Sequence, residues 1–258
     1  MPGSDLDLLI NAAHEAGEIA RKYWREDPTV WHKDDGAGPV SEADFAVDRH
    51  LRESLLAARP DYGWLSEETE DDKTRLGAEK VFIVDPIDGT RSFVAGERTW
   101  AHSLAIAENG VVTAGVVFLP VHDKLFSASL GAGAHLNQEP ISASLQARAD
   151  GATVLAPKPS LDPAAWPGGL PQFKRHFRPS LAYRLALVGQ GRFDTMITLR
   201  EAWEWDIAAG CLIATEAGAK VSDSKGLTPE FNRAHALVPG LVVAGPNLHD
   251  DLVARLTA

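Results

Sequence analysis

Two carboxylates directly follow a short apolar run in the first half of the chain, and their spacing is the first sign of chemistry. Val81–Val84 is rich in β-branched and aromatic residues, which is typical of a buried strand, and Asp85 and Asp88 come next. Because proline has no N–H to give to a ladder, we expect Pro86 to end this strand. Two buried acids need a neutralising partner, and a divalent cation such as magnesium suits their hard oxygen ligands. An Asx-turn, in which both acids only satisfy backbone amides, is the alternative interpretation.

Composition limits the classes of partner. The chain has 258 residues and a formal net charge of -11, which argues against binding to a nucleic-acid polymer or an anionic membrane. A small phosphorylated substrate remains compatible, since a metal ion reverses the local field. The lone Cys211 cannot form an internal disulfide, and neither a signal-like N-terminus nor a membrane-length apolar run is found, so we expect a cytoplasmic protein.

Hydrophobic periodicity predicts the elements that must position these acids. A first helix is predicted from Asp5 to about residue 25, followed by an irregular stretch over 26–40. Lys33, Asp34 and Asp35 of this stretch are candidates to reach a site, although a solvated loop tip is the favoured interpretation for the two acids. The S-x-x-D sequence of Ser41 to Asp44 is typical of a helix start. The remaining predicted helices cover 90–95, 181–188, 207–217 and 250–256, and the predicted strands cover 62–65, 100–107, 111–119, 125–129, 134–136, 152–156, 193–199 and 241–245.

Further acidic positions join the first pair in an ordered array. Glu67 and Glu68 precede it, and Asp206 follows within the sequence Trp-Asp-Ile-Ala-Ala-Gly. Together with the motif DPIDGT, this array resembles the inositol monophosphatase family of magnesium-dependent, lithium-sensitive phosphatases. The segment 40–44 is similar to the family element P-V-T-x-A-D and the segment 115–120 to G-V-V-x-x-P, so the resemblance covers nearly the whole chain.

The resemblance implies an α/β fold, a layered α-β-α-β-α sandwich of the inositol monophosphatase and fructose-1,6-bisphosphatase type. A composition shift over 138–151 places the boundary between a larger N-terminal α+β half, 1–145, and a smaller C-terminal α/β half, 146–258. The first half is expected to hold most metal ligands, and the second to hold Asp206 and the specificity residues. The site is expected to lie between the two halves.

The resemblance also implies a set of site residues around two or three Mg²⁺ ions. Asp44, Thr90 and Glu67 are the expected catalytic residues, because the carboxylate of Asp44 orients the threonine hydroxyl, which takes a proton from the attacking, metal-activated water. The amides of Gly89 and Thr90 are expected to cradle the phosphate at a helix N-terminus. The expected metal ligands are Glu67, Asp85 and the carbonyl of Ile87 for one ion, Asp85, Asp88 and Asp206 for a second, and Glu68 for a third.

The substrate prediction depends on the segment before Asp206. Inositol-phosphate enzymes of the family commonly carry a glutamate where this chain has Thr198, and Glu201 replaces it only if the strand end is shifted. Ser180 to Arg184 resembles the S-x-x-x-K arrangement of the family's 3'(2'),5'-bisphosphate nucleotidases. Arg184 and Arg200 are therefore expected to bind a second phosphate, although both are also compatible with ordinary surface or ion-paired arginines. Glu204, before Trp205 and Asp206, is a further indication of the bisphosphate nucleotidase branch.

These features predict a 3'(2'),5'-bisphosphate nucleotidase acting on adenosine 3',5'-bisphosphate. Inositol-1-monophosphatase activity is the alternative, followed by hydrolysis of histidinol phosphate or a sugar phosphate. A non-catalytic phosphate-binding regulator is a further alternative, disfavoured because every expected ligand and both water-activating residues are present. By resemblance, a homodimer and lithium sensitivity are also expected.

Overall fold

The computed structural model describes residues 4–32 and 38–258, so the predicted role of Lys33, Asp34 and Asp35 lies outside the described residues. The helices are α1 (Asp5–Tyr23), α2 (Glu42–Ala58), α3 (Thr90–Val94), α4 (Leu181–Gly189), α5 (Glu204–Glu216) and α6 (Pro246–Thr257). The strands are β1 (Val30–His32), β2 (Pro39–Ser41), β3 (Gly63–Ser66), β4 (Lys80–Asp88), β5 (Ala101–Glu108), β6 (Val111–Leu119), β7 (Lys124–Ser129), β8 (Ala134–Leu136), β9 (Glu139–Pro140), β10 (Thr153–Leu155), β11 (Lys174–His176), β12 (Thr195–Thr198), β13 (Ala202–Trp203), β14 (Lys220–Ser222), β15 (Leu237–Val238) and β16 (Leu241–Ala244).

Two large sheets organise these strands. A seven-stranded sheet has the order β3-β4-β5-β6-β7-β8-β9, and a five-stranded sheet has the order β11-β10-β12-β16-β14. The first sheet is antiparallel except for the parallel pair of β3 and β4. Its long central strands are almost wholly buried, as expected for a sheet that is covered on both faces.

Three buried apolar clusters hold the five layers of the fold together. Helices α1 and α2 pack on one face of the seven-stranded sheet through Leu9, Leu51 and Phe118, whose side chains share one buried cluster. Helices α4 and α5 fill the space between the two sheets, where a second cluster joins residues of both. Helix α6 covers the far face of the five-stranded sheet through Leu248 and Leu252. The predicted α-β-α-β-α sandwich is confirmed.

The predicted end of the strand at Pro86 is wrong. Strand β4 runs through this proline to Asp88, because the register against β5 shifts between Asp85 and Asp88. Such a bulge leaves residues outside the ladder, so the missing proline N–H costs no strand hydrogen bond. The bulge thereby places both acids at the C-terminal end of β4, where the candidate site forms.

Local sequence signals explain most other boundaries. Asn109 and Gly110 both adopt positive φ, of 49° and 85°, which is the geometry of the tight hairpin predicted between β5 and β6. Ser4 caps α1 by accepting a hydrogen bond from the amide of Asp7. The stretch predicted to be irregular over 26–40 contains β1, and β2 begins at its end; the two pair with each other as a short antiparallel ribbon.

Candidate active site

Three carboxylates from separate elements converge beside the bulge of β4. Oxygen atoms of Glu67, Asp85 and Asp206 all lie within 4.8 Å of one another. Glu67 follows β3, Asp85 lies in β4, and Asp206 lies in the first turn of α5, so the two halves of the chain each contribute. Like charges at this separation repel strongly unless a cation or protons lie between them.

Asp85 is the least compensated member of this cluster. Its carboxylate is buried, and its Oδ1 atom has no hydrogen-bond partner among the residues that the structure describes. Burial and then the charge of Glu67 raise the pKa of Asp85 well above its usual range, and burial followed by the charge of Asp88 does the same for Asp206. A buried carboxylate with an oxygen that lacks a donor, grouped with two further acids, suits a hard divalent cation such as Mg²⁺.

Asp88 links this cluster to α4. Its Oδ2 atom accepts hydrogen bonds from the Ser180 hydroxyl at 2.6 Å and from the Ala182 amide at 2.7 Å. An anion at the N-terminus of α4 is favoured by free amides and by the helix dipole. Burial raises the pKa of Asp88 to about 6, while these hydrogen bonds oppose the shift. Ser180, which is expected to bind substrate, contacts this candidate metal ligand, and its role in substrate binding stays a prediction.

Asp44 and Thr90 form the pair expected for proton transfer. The Thr90 hydroxyl is placed to donate to Asp44 Oδ1 and to the Ile87 carbonyl, both at 3.1 Å. The other oxygen of Asp44, Oδ2, accepts from the amide and hydroxyl of Ser41 at 2.8 and 2.6 Å. Burial raises the pKa of Asp44 to about 6, against the effect of the Ser41 hydrogen bonds. This carboxylate is therefore poised to exchange a proton near neutral pH.

The turn after the bulge requires glycine. Gly89 has φ of +100°, and a Cβ there would lie 3.4 Å from the Thr99 carbonyl oxygen. This left-handed residue lets the chain leave β4 and enter α3 at Thr90. The carbonyl of Ile87 and the hydroxyl of Thr90 are consequently held on the same turn.

Asp48 supports the segment that carries Glu67 and Glu68, a role that the sequence did not reveal. Its two carboxylate oxygens accept from the Ser66 hydroxyl at 2.5 Å and the Thr69 hydroxyl at 2.7 Å, and the amide of Glu68 reaches Ser66 at 3.4 Å. Asp48 lies one helical turn after Asp44, so α2 presents both acids on one face. That i, i+4 spacing was the available signal.

A second support, which we call the clamp, consists of Asp71, Arg75, Asn232, Arg233 and Glu204. The fully buried guanidinium of Arg75 donates to both carboxylate oxygens of Asp71 at 3.0 and 2.7 Å, to Asn232 Oδ1 at 2.6 Å and to the Arg233 carbonyl at 3.0 Å. The amides of Asn232 and Arg233 donate in turn to Glu204 at 2.6 and 3.0 Å. Because Glu204 lies two residues before Asp206, the clamp joins the acidic segment 67–72 to the start of α5.

Arg184 does not present a free guanidinium. It is 4% exposed and donates to the carbonyls of Arg178 at 2.5 Å and Pro179 at 2.9 Å, with its Cζ atom 4.6 Å from the Phe177 ring centroid. Burial lowers the pKa of Arg184 to about 10, and the negative charge of Asp88 opposes this shift. The geometry makes it a buried cation beside the acidic cluster.

Arg200 differs from the buried Arg184 in its exposure to solvent. It is exposed, it follows the end of β12, and its charge contributes to lowering the pKa of Asp206. Thr198, at the last position of β12, is buried. Nearby in sequence, the indoles of Trp203 and Trp205 stack with centroids 4.6 Å apart, and Trp203 is 44% exposed. This end of the site thus offers a free cation and an aromatic face.

Comparison with known proteins gives the affiliation of the chain. A model of the inositol monophosphatase family matches residues 4–258. The chain belongs to the inositol monophosphatase family. It is similar to an inositol-1-monophosphatase of Rhizobium meliloti, with 34% identity over 86% of each chain. It is also similar to a histidinol-phosphatase of Mycobacterium tuberculosis, with 31% identity over 100% of both chains.

The fold agrees with this family membership. A solved inositol monophosphatase structure from Thermotoga maritima superimposes with a TM-score of 0.83 and 29% identity, covering 98% of this chain and 96% of that one. Inositol monophosphatase family members are metal-dependent phosphatases, and the acidic cluster of this chain fits a bound metal. Over 4–32 and 38–258, no helix has both the length and the apolar character needed to cross a membrane.

Proposed function

We propose that this phosphatase is a Mg²⁺-dependent phosphomonoesterase acting on a small phosphorylated metabolite at the Glu67–Asp85–Asp206 cluster. The observation that carries the proposal is the buried, unpartnered Asp85 Oδ1 atom amid two further carboxylates. Asp88, Glu68 and the carbonyl of Ile87 are the additional ligands we assign to the cations. Bound Mg²⁺ supplies charge neutralisation of the phosphate and activation of the attacking water.

The residues of the chain provide orientation and proton transfer. The Thr90 hydroxyl lies between Asp44 Oδ1 and the Ile87 carbonyl, which both accept its proton. These two contacts fix the orientation of the hydroxyl oxygen. The hydroxyl takes the proton of the attacking water and passes its own to Asp44, whose raised pKa suits this role. The turn at Gly89 and Thr90 brings backbone amides to the phosphate.

For the substrate, we infer an inositol 1-phosphate-like monoester. Two observations support this: the similarity to the R. meliloti inositol-1-monophosphatase, and the burial of Arg184, whose Nε and Nη2 atoms donate to backbone carbonyls. A sugar-like polyol monophosphate needs one phosphate cradle and no second cationic pocket.

Adenosine 3',5'-bisphosphate is the second candidate. It is favoured by the exposed Arg200, which is available for a second phosphate, and by the stacked Trp203 and Trp205, which offer a flat surface to a base. Histidinol phosphate is a further substrate to compare, because the chain is similar to a histidinol-phosphatase of M. tuberculosis.

Phosphate release from a panel of these three substrates and adenosine 5'-monophosphate, with Mg²⁺ and after chelation, tests the proposal. We expect metal-dependent release with the highest kcat/KM for inositol 1-phosphate. Loss of release from every member of the panel would contradict the enzymatic proposal. A clear advantage for the bisphosphate that disappears in Arg200→Met would transfer the assignment to the second candidate.

A further inference from the structure

A cavity outside the acidic cluster is lined by cations. It has a volume of about 370 Å³ and lies between α4 and the start of β7. We call it the basic pocket; its lining is Lys124, Arg178, Tyr183, Leu187, Gln190, Arg192 and Phe193. The positive charges are unexpected in a chain whose net charge is -11.

The three cations of the basic pocket have no acidic partner within 4–32 and 38–258. No carboxylate of the described residues forms an ion pair with Lys124, Arg178 or Arg192. Among the described residues, the guanidinium of Arg178 donates only to the Phe177 carbonyl, at 2.7 Å, and its Cζ atom lies 5.7 Å from the Phe193 ring centroid. Clustering unpaired like charges is unfavourable unless an anion offsets their repulsion.

Polar groups complement these charges. Tyr183, on α4, is 7% exposed; burial raises the pKa of its hydroxyl, and the positive charges of Arg178 and Arg192 oppose that shift. Gln190 adds a neutral amide. Planar guanidinium groups with hydroxyl and amide donors suit phosphate and carboxylate oxygens.

We propose that the basic pocket is an anion-binding site for a small molecule that carries a phosphate or carboxylate group. None of its lining residues belongs to the metal cluster: Ser180 at the start of α4 contacts Asp88, whereas Tyr183, Leu187 and Gln190 farther along the chain line the pocket. The anion has two sources, a second charged group of the substrate or a separate small metabolite.

Binding of inorganic phosphate to the metal-free protein tests this inference. Chelation leaves the acidic cluster without cations, so it repels phosphate, whereas the basic pocket is expected to retain affinity. Titration calorimetry and thermal unfolding, at ionic strength held constant with chloride, are compared for the wild type and Lys124→Met/Arg192→Met. Arg148→Met/Lys158→Met is the matched control, because it removes the same charge at exposed positions away from the pocket.

We expect the pocket double variant to bind phosphate at least tenfold more weakly, and the control variant to bind like the wild type. Equal binding by all three proteins, or no binding by the wild type beyond the effect of chloride, would overturn the inference. Because this test uses no metal and no turnover, its result is separate from that of the phosphatase proposal.

Kinetics distinguish the two sources of the anion. If the pocket holds part of the substrate, the pocket double variant raises KM for adenosine 3',5'-bisphosphate at least tenfold and leaves KM for inositol 1-phosphate unchanged. If it holds a separate anion, both KM values stay unchanged while metal-free phosphate binding is lost. A control variant that shifts KM as much as the pocket variant would contradict the first arm.

Discussion

At the scale of single residues, the site is defined by charge that the protein itself does not compensate. Asp88 and Asp44 each have hydrogen-bond donors, whereas Asp85 Oδ1 has none. Asp85 is therefore the carboxylate whose ionised form depends most on an external cation. It is also the acid at which the register of β4 changes.

Asp85→Asn is the first test at this scale. We expect Mg²⁺ affinity to fall by roughly 100-fold or more, with loss of phosphate release, because a ligand in contact with the metal is removed. The metal-free variant should unfold at the same or a higher temperature than the wild type, since a neutral amide replaces a buried charge.

Glu70→Gln serves as the control for this variant, because Glu70 is an exposed acid of the same acidic run. It should keep wild-type Mg²⁺ affinity and activity. Near-normal activity of Asp85→Asn would require a different assignment of the metal ligands.

The raised pKa of Asp44 predicts a specific pH dependence of stability. Its folded-state pKa of about 6 exceeds the unfolded value near 3.8, so the folded protein binds more protons between these values. The stabilising contribution is thus complete below about pH 4 and is lost as the pH rises through 6. A shift of about two units corresponds to about 3 kcal/mol.

Urea unfolding of metal-free wild type and Asp44→Asn at pH 4 and pH 7 measures this contribution. The stability of the variant relative to the wild type should increase by about 3 kcal/mol over this interval, since the variant lacks the titrating group. Buried His102, whose pKa is lowered to about 4 mainly by burial, has the opposite dependence but is common to both proteins. A difference that does not change with pH would contradict the assignment.

At the scale of elements, the clamp ties the acidic segment after β3 to the start of α5. Arg75 is buried and Asn232 has φ of 58°, so a cation and a left-handed residue are both fixed at this junction. Both features require support from their neighbours. The consequence is that Glu67 and Asp206, which come from different halves, are held at a set separation before any cation arrives.

Two clamp variants test this positioning role. Arg75→Met should destabilise the protein by about 3–5 kcal/mol, because Asp71 loses its buried partner and the Asn232 side chain and the Arg233 carbonyl lose their donor. Asn232→Gly is milder, since glycine accepts the positive φ while the hydrogen bond to Arg75 is removed. Both should raise the Mg²⁺ dissociation constant about 10- to 100-fold, measured by titration calorimetry or by the fluorescence of Trp203 and Trp205.

Arg59→Met is the matched control for the clamp. It breaks a partly buried ion pair with Asp5, 3.0 Å between Nε and Oδ1, in the first layer of the sandwich. It should lower the unfolding temperature without changing Mg²⁺ affinity. Unchanged affinity in both clamp variants would reduce the clamp to a purely structural role.

Sequence patterns predicted the long elements because apolar periodicity, turn residues and capping residues act within a few positions of the chain. The Asn109-Gly110 hairpin and the starts of α1 and α2 follow from turn and capping residues. The path of β4 through Pro86 did not follow, because a bulge depends on the partner strand. Strands β13 and β15 are only two residues long, and they pair across 202–238, a distance that periodicity does not detect.

The candidate site shows the same division. Its acids were predicted by motif resemblance, since Glu67, Asp85, Asp88 and Asp206 stand in a recognisable order. Their supports were not, because Asp48 and Arg75 act through partners far away in sequence. Arg184 shows the limit of a spacing argument: the motif indicated its position, but burial decided that its donors face backbone carbonyls.

At the scale of the whole molecule, the site lies where two sheets and the helices between them meet. Metal binding should therefore stabilise the entire fold. At a Mg²⁺ concentration of about 100 times the dissociation constant, the gain is about 2.7 kcal/mol, which corresponds to a rise of roughly 5 to 10 °C in the unfolding temperature.

Differential scanning calorimetry with Mg²⁺ and with a chelator measures this rise. Asp85→Asn should lose most of it, whereas Glu70→Gln should retain it. An unfolding temperature that is independent of Mg²⁺ in the wild type would contradict metal binding at the cluster. The proposed boundary between 145 and 146 and the expected homodimer remain predictions.

Helix α5 lies between the two sheets, and nine of its thirteen residues, from Glu204 to Ala214, are buried. A helix enclosed on all sides cannot open without separating layers on both of its faces. Its amide hydrogens should therefore exchange with deuterium only when the complete chain unfolds, more slowly than those of the outer helix α6. The slowest amide exchange in the protein would then occur in the helix that carries Asp206, and both halves would unfold as one cooperative unit.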